Sequence, residues 1–369
     1  MIEVIVNRPS FEYDIHSLVK SFFPREDVQI HVQDTFTEDT ALRISVEFTD
    51  ETVSICLMEQ GEEKESGASV INYAERKETK NRLKCQLYQL LCAYTGQTLP
   101  WGTLTGIRPA KIAMGLIEQG MSNVETAEYM RNTYLASKEK VALSVMIANR
   151  ERYVLRNIDY KDGYSLYVGI PFCPSICLYC SFSSYPLERW RKQVDQYLDA
   201  LCKELDYVAD RFRDKKLNTV YIGGGTPTTL EPYQLDRLLT KIQSKFDTEH
   251  LQEFTVEAGR PDSITREKLQ VLLDHGIDRI SINPQTMNQK TLEIIGRRHT
   301  VDQVKEAFTL ARSMGFAHIN MDLIVGLPEE TIADVRETMR QLEELDPDNI
   351  TVHSLAIKRA ARLRMQKEQ

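Results

Sequence analysis

Hydrophobic and polar positions change their rhythm near residue 160. Beyond it, short β-branched and aromatic runs alternate with stretches whose apolar positions recur at helical spacing, the pattern of a parallel sheet built from βα units. The runs predict strands at Leu166 to Ile170, Thr219 to Ile222, Phe254 to Glu257, Arg279 to Ile282, Ile319 to Ile324 and Ile350 to Ser354. The stretches between them predict helices near Glu188 to Phe212, Pro232 to Lys245, Thr265 to His275, Val301 to Met314 and Thr331 to Leu345. Thr300 and Gln303 are spaced as a capping box. Six βα units fall short of the eight of a closed barrel. The expected class is α/β, a partial (βα)6 barrel over residues 161–357.

Residues 1–160 read as a smaller α+β N-terminal domain. Strands are expected at Glu3 to Asn7, Val28 to Val32, Leu42 to Phe48 and Val53 to Met58, and a helix from Tyr73 to Tyr94. Ser122 to Glu125 marks another helix start, and Ser137 to Ile158 a long helix. In the stretch Trp101 to Pro109, a turn before a helix at Pro109 and a ligand contact through Arg108 are both open readings. Residues 358–369 form a basic tail, with Lys358, Arg359, Arg362 and Arg364, that a solvated helix face explains as well as a ligand contact.

Composition narrows the class. Hydrophobic residues make up 42% of the 369 and charged residues 27%, a globular rather than disordered balance. A net charge of -8 disfavours a broad nucleic-acid surface. No apolar run reaches the roughly 18 residues of a spanning helix. Seven cysteines without a pairing pattern, and no cleavable apolar N-terminal segment, point to a reducing compartment. The expected location is cytoplasmic.

Candidate chemistry concentrates directly behind the first barrel strand, where Cys173, Cys177 and Cys180 are set at C-x3-C-x2-C. Three thiolates in one loop can hold three irons of a 4Fe-4S cubane and leave the fourth iron open to a small chelating molecule. A structural zinc site normally takes four ligands, and the next Cys or His is Cys202, within a predicted helix. Cys56, Cys85, Cys92 and Cys202 sit in apolar patterns and read as core. The later strands carry polar groups toward their C-terminal ends, where βα loops build sites. Gly223-Gly224-Gly225-Thr226-Pro227 follows the second strand, Glu257 ends the third and Gln285 follows the fourth. Asp322 lies within the fifth, where a carboxylate is costly to bury without a partner.

The segment Tyr167 to Phe182, with GGGTP one βα unit later, resembles radical S-adenosylmethionine (SAM) enzymes. The similarity is greatest to the oxygen-independent coproporphyrinogen III dehydrogenase group, and with the added N-terminal domain to its HemZ subgroup. It covers roughly residues 150 to 357 and implies an open radical SAM barrel binding a 4Fe-4S cluster and SAM. By position it implies cluster ligation by Cys173, Cys177 and Cys180, and SAM contacts from Tyr179, Gly223, Gly224, Gly225, Thr226, Glu257, Gln285, Arg297 or Arg298, and Asp322. Tyr167 is implied to stand beside the reacting substrate.

The implied reaction splits SAM to methionine and a 5'-deoxyadenosyl radical, which takes hydrogen from a propionate of coproporphyrinogen III. Loss of carbon dioxide leaves a vinyl group, and two such steps give protoporphyrinogen IX. A flavodoxin or ferredoxin is the implied electron donor. Two departures keep a haem-binding chaperone, or action on another tetrapyrrole, open. Established dehydrogenases have a fourth cysteine where this chain has Phe182. Relatives also continue into a C-terminal domain covering the barrel mouth, so residues 358–369 are expected to begin such a domain.

Overall fold

The computed structural model describes residues 1–32, 40, 42–358 and 361–363. Of the basic tail, Lys358 and residues 361–363 are described; Arg359 and Arg364 lie outside the described residues. The chain divides into two compact units, Met1–Arg156 and Asn157–Gln369. Among the described residues, no helix is long and apolar enough to cross a membrane.

The first unit runs β1 (Ile2–Val6), α1 (Glu12–Phe22), β2 (Val28–Val32), β3 (Leu42–Phe48), β4 (Thr52–Glu59), β5 (Glu62–Val70), α2 (Arg76–Thr95), α3 (Pro109–Glu118), α4 (Asn123–Tyr134) and α5 (Lys138–Leu155). Its sheet has the order β2-β1-β3-β4-β5. Alternate residues of β3 and β4, Ile44, Val46, Ile55 and Leu57, pack with Ile15 and Leu18 of α1 and Leu83, Leu87 and Leu91 of α2. Two elements extend the sequence expectation, α1 and the edge strand β5. Strand β5 is polar along most of its length and is held by its antiparallel ladder to β4. The Trp101 to Pro109 stretch is a turn leading into α3, with exposed Arg108 as N-cap.

The second unit contains β6 (Gly163–Ile170), the short β7 (Phe172–Cys173) and β8 (Tyr185–Pro186), α6 (Leu187–Trp190) and α7 (Val194–Arg211). There follow β9 (Lys216–Gly224), α8 (Pro232–Lys245), β10 (Glu253–Gly259), α9 (Arg266–Asp274), β11 (Arg279–Gln285) and α10 (Gln289–Ile294). The last elements are α11 (Val301–Met314), β12 (His318–Val325), α12 (Ile332–Leu345) and β13 (Asn349–Ser354). The main sheet is six-stranded in the order β6-β9-β10-β11-β12-β13, and every pairing is parallel. The expected single helix over Glu188 to Phe212 is instead α6, a 3₁₀ turn at Arg191–Gln193, and α7. Tyr167 lies inside β6, with three strand residues beyond it.

Strand alternation decides what the open side of the sheet presents. Val168, Ile222, Val256, Ile282 and Met321 enter the core, where they pack with Leu198, Leu238, Leu269, Val304 and Phe308 of the helices. Their neighbours Tyr167, Tyr221, Glu257, Asn283 and Asp322 fall on the opposite face. Burial of one face thus aligns five chemically active side chains on the other.

Candidate functional site

That opposite face lines a cavity of about 480 Å³. Cys173, Cys177 and Cys180 border it, together with Gly224, Gly225 and Thr226 from the end of β9. The cysteine loop is anchored from several directions. Strand β7 pairs with β8 across the loop's base. Leu178 N donates to Ile295 O at 2.9 Å, and Ser175 Oγ to Gly296 O at 3.1 Å. Cys177 is buried, and Cys173 and Cys180 are partly buried. Burial pushes the Cys173 thiol up to about 11, against a lowering from the Thr226 hydroxyl that points at its sulfur. Burial raises Cys180 as well. A metal held by these two sulfurs would have to displace their protons, which would couple loading to proton release.

The glycine run is required by close packing. A Cβ on Gly225 would stand 2.6 Å from Phe172 O and 3.0 Å from Cys173 Sγ, so the cysteine loop rests directly on this residue. Gly224 has φ +110°, and its Cβ would lie 3.1 Å from backbone atoms of Ile170. Gly223 does not border the cavity; the space its side chain would fill holds the Tyr221 ring and Glu257 Oε2.

Across the cavity floor runs a hydrogen-bonded chain spanning three strands. Asn283 Nδ2 donates to Glu257 Oε1 at 2.8 Å, Ser281 Oγ donates to Asn283 Oδ1 at 2.6 Å, and Asn320 Nδ2 donates to both Ser281 Oγ and Asp322 Oδ1 at 3.0 and 2.7 Å. Burial, and then the nearby Asp322, push the Glu257 carboxyl up to about 7. Such a group accepts a proton or a cation readily near neutrality. Gln285 takes φ 70°, a left-handed conformation unusual for a residue with a side chain. Strain of this kind gathers at ligand sites.

Arg297 and Arg298 separate cleanly. Arg297 is buried at the cavity and donates to the carbonyls of Asn283 and Pro284. It also faces Tyr179 and Cys177, while its Nε has no partner. Arg298 is exposed and does not border the cavity. The Tyr179 ring packs with Leu292, Ile295 and Leu327, and burial raises its hydroxyl. Tyr167 and Tyr221 stack with centroids 6.1 Å apart and planes 10° apart.

Several cavity residues lie outside the sequence expectation. Tyr221 and Asn283 share the strand phase of Tyr167, Glu257 and Asp322, so alternation could have found them. Arg260, in Gly259-Arg260-Pro261-Asp262 just beyond β10, has no such signal. His299, which does not line the cavity, is fully buried beside Asp262, with neither ring nitrogen hydrogen-bonded. Burial, followed by Arg297 and Arg260, pushes it down to about 3, so it is neutral.

The donor set fits a cluster and a zwitterionic cofactor. Among the described residues, no three His, Cys, Asp or Glu side chains are placed to hold one metal ion. Cubane cysteines each bind a different iron and need no common point. The unpartnered Nε of Arg297 is a buried donor at the cavity with an acceptor still to find. Residues 167–342 match the family model described as Radical SAM superfamily. These residues are a radical SAM domain.

The radical SAM family implies a 4Fe-4S cluster and SAM as cofactors. The chain is 41% identical over 291 residues to the oxygen-independent coproporphyrinogen-III oxidase-like protein HemZ of Bacillus subtilis, an alignment covering 78% of this chain and 58% of that protein. It is 39% identical over 193 residues to heme chaperone HemW of Lactococcus lactis, covering 52% and 49%. It is 34% identical over 192 residues to the oxygen-independent coproporphyrinogen III oxidase of Salmonella typhimurium, covering 52% and 42%. The chain thus spans between 42% and 58% of the length of these relatives. Its radical SAM domain groups with coproporphyrinogen oxidase-like and haem-chaperone proteins.

Proposed function

We propose that this protein carries out the oxygen-independent oxidative decarboxylation of coproporphyrinogen III to protoporphyrinogen IX. The observation that carries the reading is the convergence on one cavity of three cysteines, the Glu257–Asp322 network, buried Arg297 and the Tyr167–Tyr221 pair. Cys173, Cys177 and Cys180 would hold the cluster. Glu257 would take the cationic amino group of SAM, its carboxyl near 7 giving up its proton to do so. Arg297, with its free Nε, would pair with the SAM carboxylate. Asp322, already accepting from Asn320, has carboxylate capacity left for ribose hydroxyls.

Bound together, the cluster and SAM supply a one-electron cleavage yielding a carbon radical that takes a hydrogen atom. Each propionate then loses that hydrogen atom, carbon dioxide and one electron, leaving a vinyl group. Tyr167, 62% exposed within β6, faces the open side where a large substrate would enter. A reduced flavodoxin or ferredoxin would supply the electron for SAM cleavage. The test is anaerobic incubation of the reconstituted protein with SAM, dithionite, an electron acceptor and coproporphyrinogen III. Vinyl products support the reading, and SAM cleavage without them counts against it.

Haem binding is the second reading, and Phe182 favours it. Its ring borders the cavity and is 75% exposed, an apolar surface for a macrocycle. A stable haem complex with no porphyrinogen turnover would select it.

A further inference from the structure

Arg260 is 3% exposed in the turn after β10, and a guanidinium that deeply buried requires partners. Asp262 takes two of its bonds, from Nε at 3.0 Å and Nη2 at 2.9 Å. This fork fixes the plane of the guanidinium and leaves Nη1 directed at the cysteine loop. Nη1 lies 3.1 Å from Ser175 Oγ, 3.3 Å from Ser175 O and 3.9 Å from Cys177 Sγ. Ser175 in turn donates to Gly296 O, so the contact joins the third strand's turn to the loop and to the segment after α10. The positive end of the Arg260–Asp262 pair is the end nearest the sulfur.

We infer that Arg260 is a positioning residue for the cluster: it clamps the cysteine loop through Ser175 and places a buried positive charge beside the Cys177 sulfur that raises the cluster's reduction potential. Reduction adds one electron and no proton to the cluster, and a nearby cation in low dielectric favours the more negative product. The inference rests on the cluster reading of the three cysteines and is independent of the substrate.

The test uses the full chain, reconstituted anaerobically as wild type, Arg260→Lys, Arg260→Gln and Asp262→Asn, without SAM or substrate. Iron and sulfide are counted, and the reduced fraction is followed by electron paramagnetic resonance as dithionite, the electron source, sets the potential. Wild type and Arg260→Lys should load fully. In Arg260→Gln, the ratio of reduced to oxidised cluster at a fixed potential should fall by at least tenfold, the effect of one charge roughly 12 Å away at an effective dielectric of about 20 and less than that of a closer one. Loss of iron from Arg260→Gln with retention in Arg260→Lys would equally support the clamp. A fully loaded Arg260→Gln with the wild-type potential overturns the inference. Should Arg260→Gln fail to fold, Asp262→Asn decides: it keeps the guanidinium and removes its counter-charge, so the potential must rise, and an unchanged value overturns it. Absence of a cluster from the wild type would overturn the cluster reading itself.

Discussion

Burial of the Glu257 carboxyl carries a cost to folding, and Glu257→Gln removes it. The side chain keeps its shape and can still accept from Asn283, but it can no longer ionise. Burial and Asp322 move the native carboxyl from 4.5 to about 7, which corresponds to about 3 kcal/mol. Below pH 4.5 the group is protonated in both folded and unfolded chains and has no effect. Between 4.5 and 7 the unfolded chain releases a proton that the folded one retains, so stability falls as pH rises. Above 7 the loss is complete. Urea unfolding of the metal-free proteins at pH 5 and pH 8 should show Glu257→Gln more stable than wild type by about 3 kcal/mol at pH 8 and by much less at pH 5. The same variant should lose SAM affinity once the cluster is loaded. Equal pH dependence in variant and wild type would refute the argument, because the carboxyl would then titrate alike in both states.

Three further substitutions probe other walls of the site. Asp322→Ala should weaken SAM binding by roughly 1 to 3 kcal/mol, the scale of a lost charge-assisted hydrogen bond, measured by equilibrium binding to the loaded protein. Gly225→Val should cut iron retention sharply, since its Cβ would meet Phe172 O and Cys173 Sγ; full iron content would show that the loop does not rest there. Tyr167→Phe should retain the cluster and uncoupled SAM cleavage but lower vinyl formation from coproporphyrinogen III, and unchanged product formation would remove the hydroxyl from the reaction.

The barrel strands were legible because parallel strands covered by helices are apolar runs, and the cysteine and glycine motifs because each is contiguous. Helix α1 carries a legible pattern as well, with Ile15, Leu18, Val19 and Phe22 at helical spacing. Strand β5 carried no apolar alternation to find; backbone pairing at a sheet edge makes it a strand. Arg297 and Arg298 are adjacent in sequence, and only the turn after α10 decides that one is buried and the other exposed. Arg260 depends on a contact spanning 85 residues to Ser175, which no local pattern encodes.

A cluster with an open iron that SAM chelates directly would carry a spectroscopic signature. Electron paramagnetic resonance of the anaerobically reconstituted, dithionite-reduced protein should show a 4Fe-4S signal, with about four irons per chain, that changes shape when SAM is added. The signal and the iron should vanish in Cys173→Ala, Cys177→Ala and Cys180→Ala and persist in Cys202→Ala. A wild-type spectrum indifferent to SAM, or full iron retention in any of the three loop variants, would show that these cysteines do not hold an open cluster.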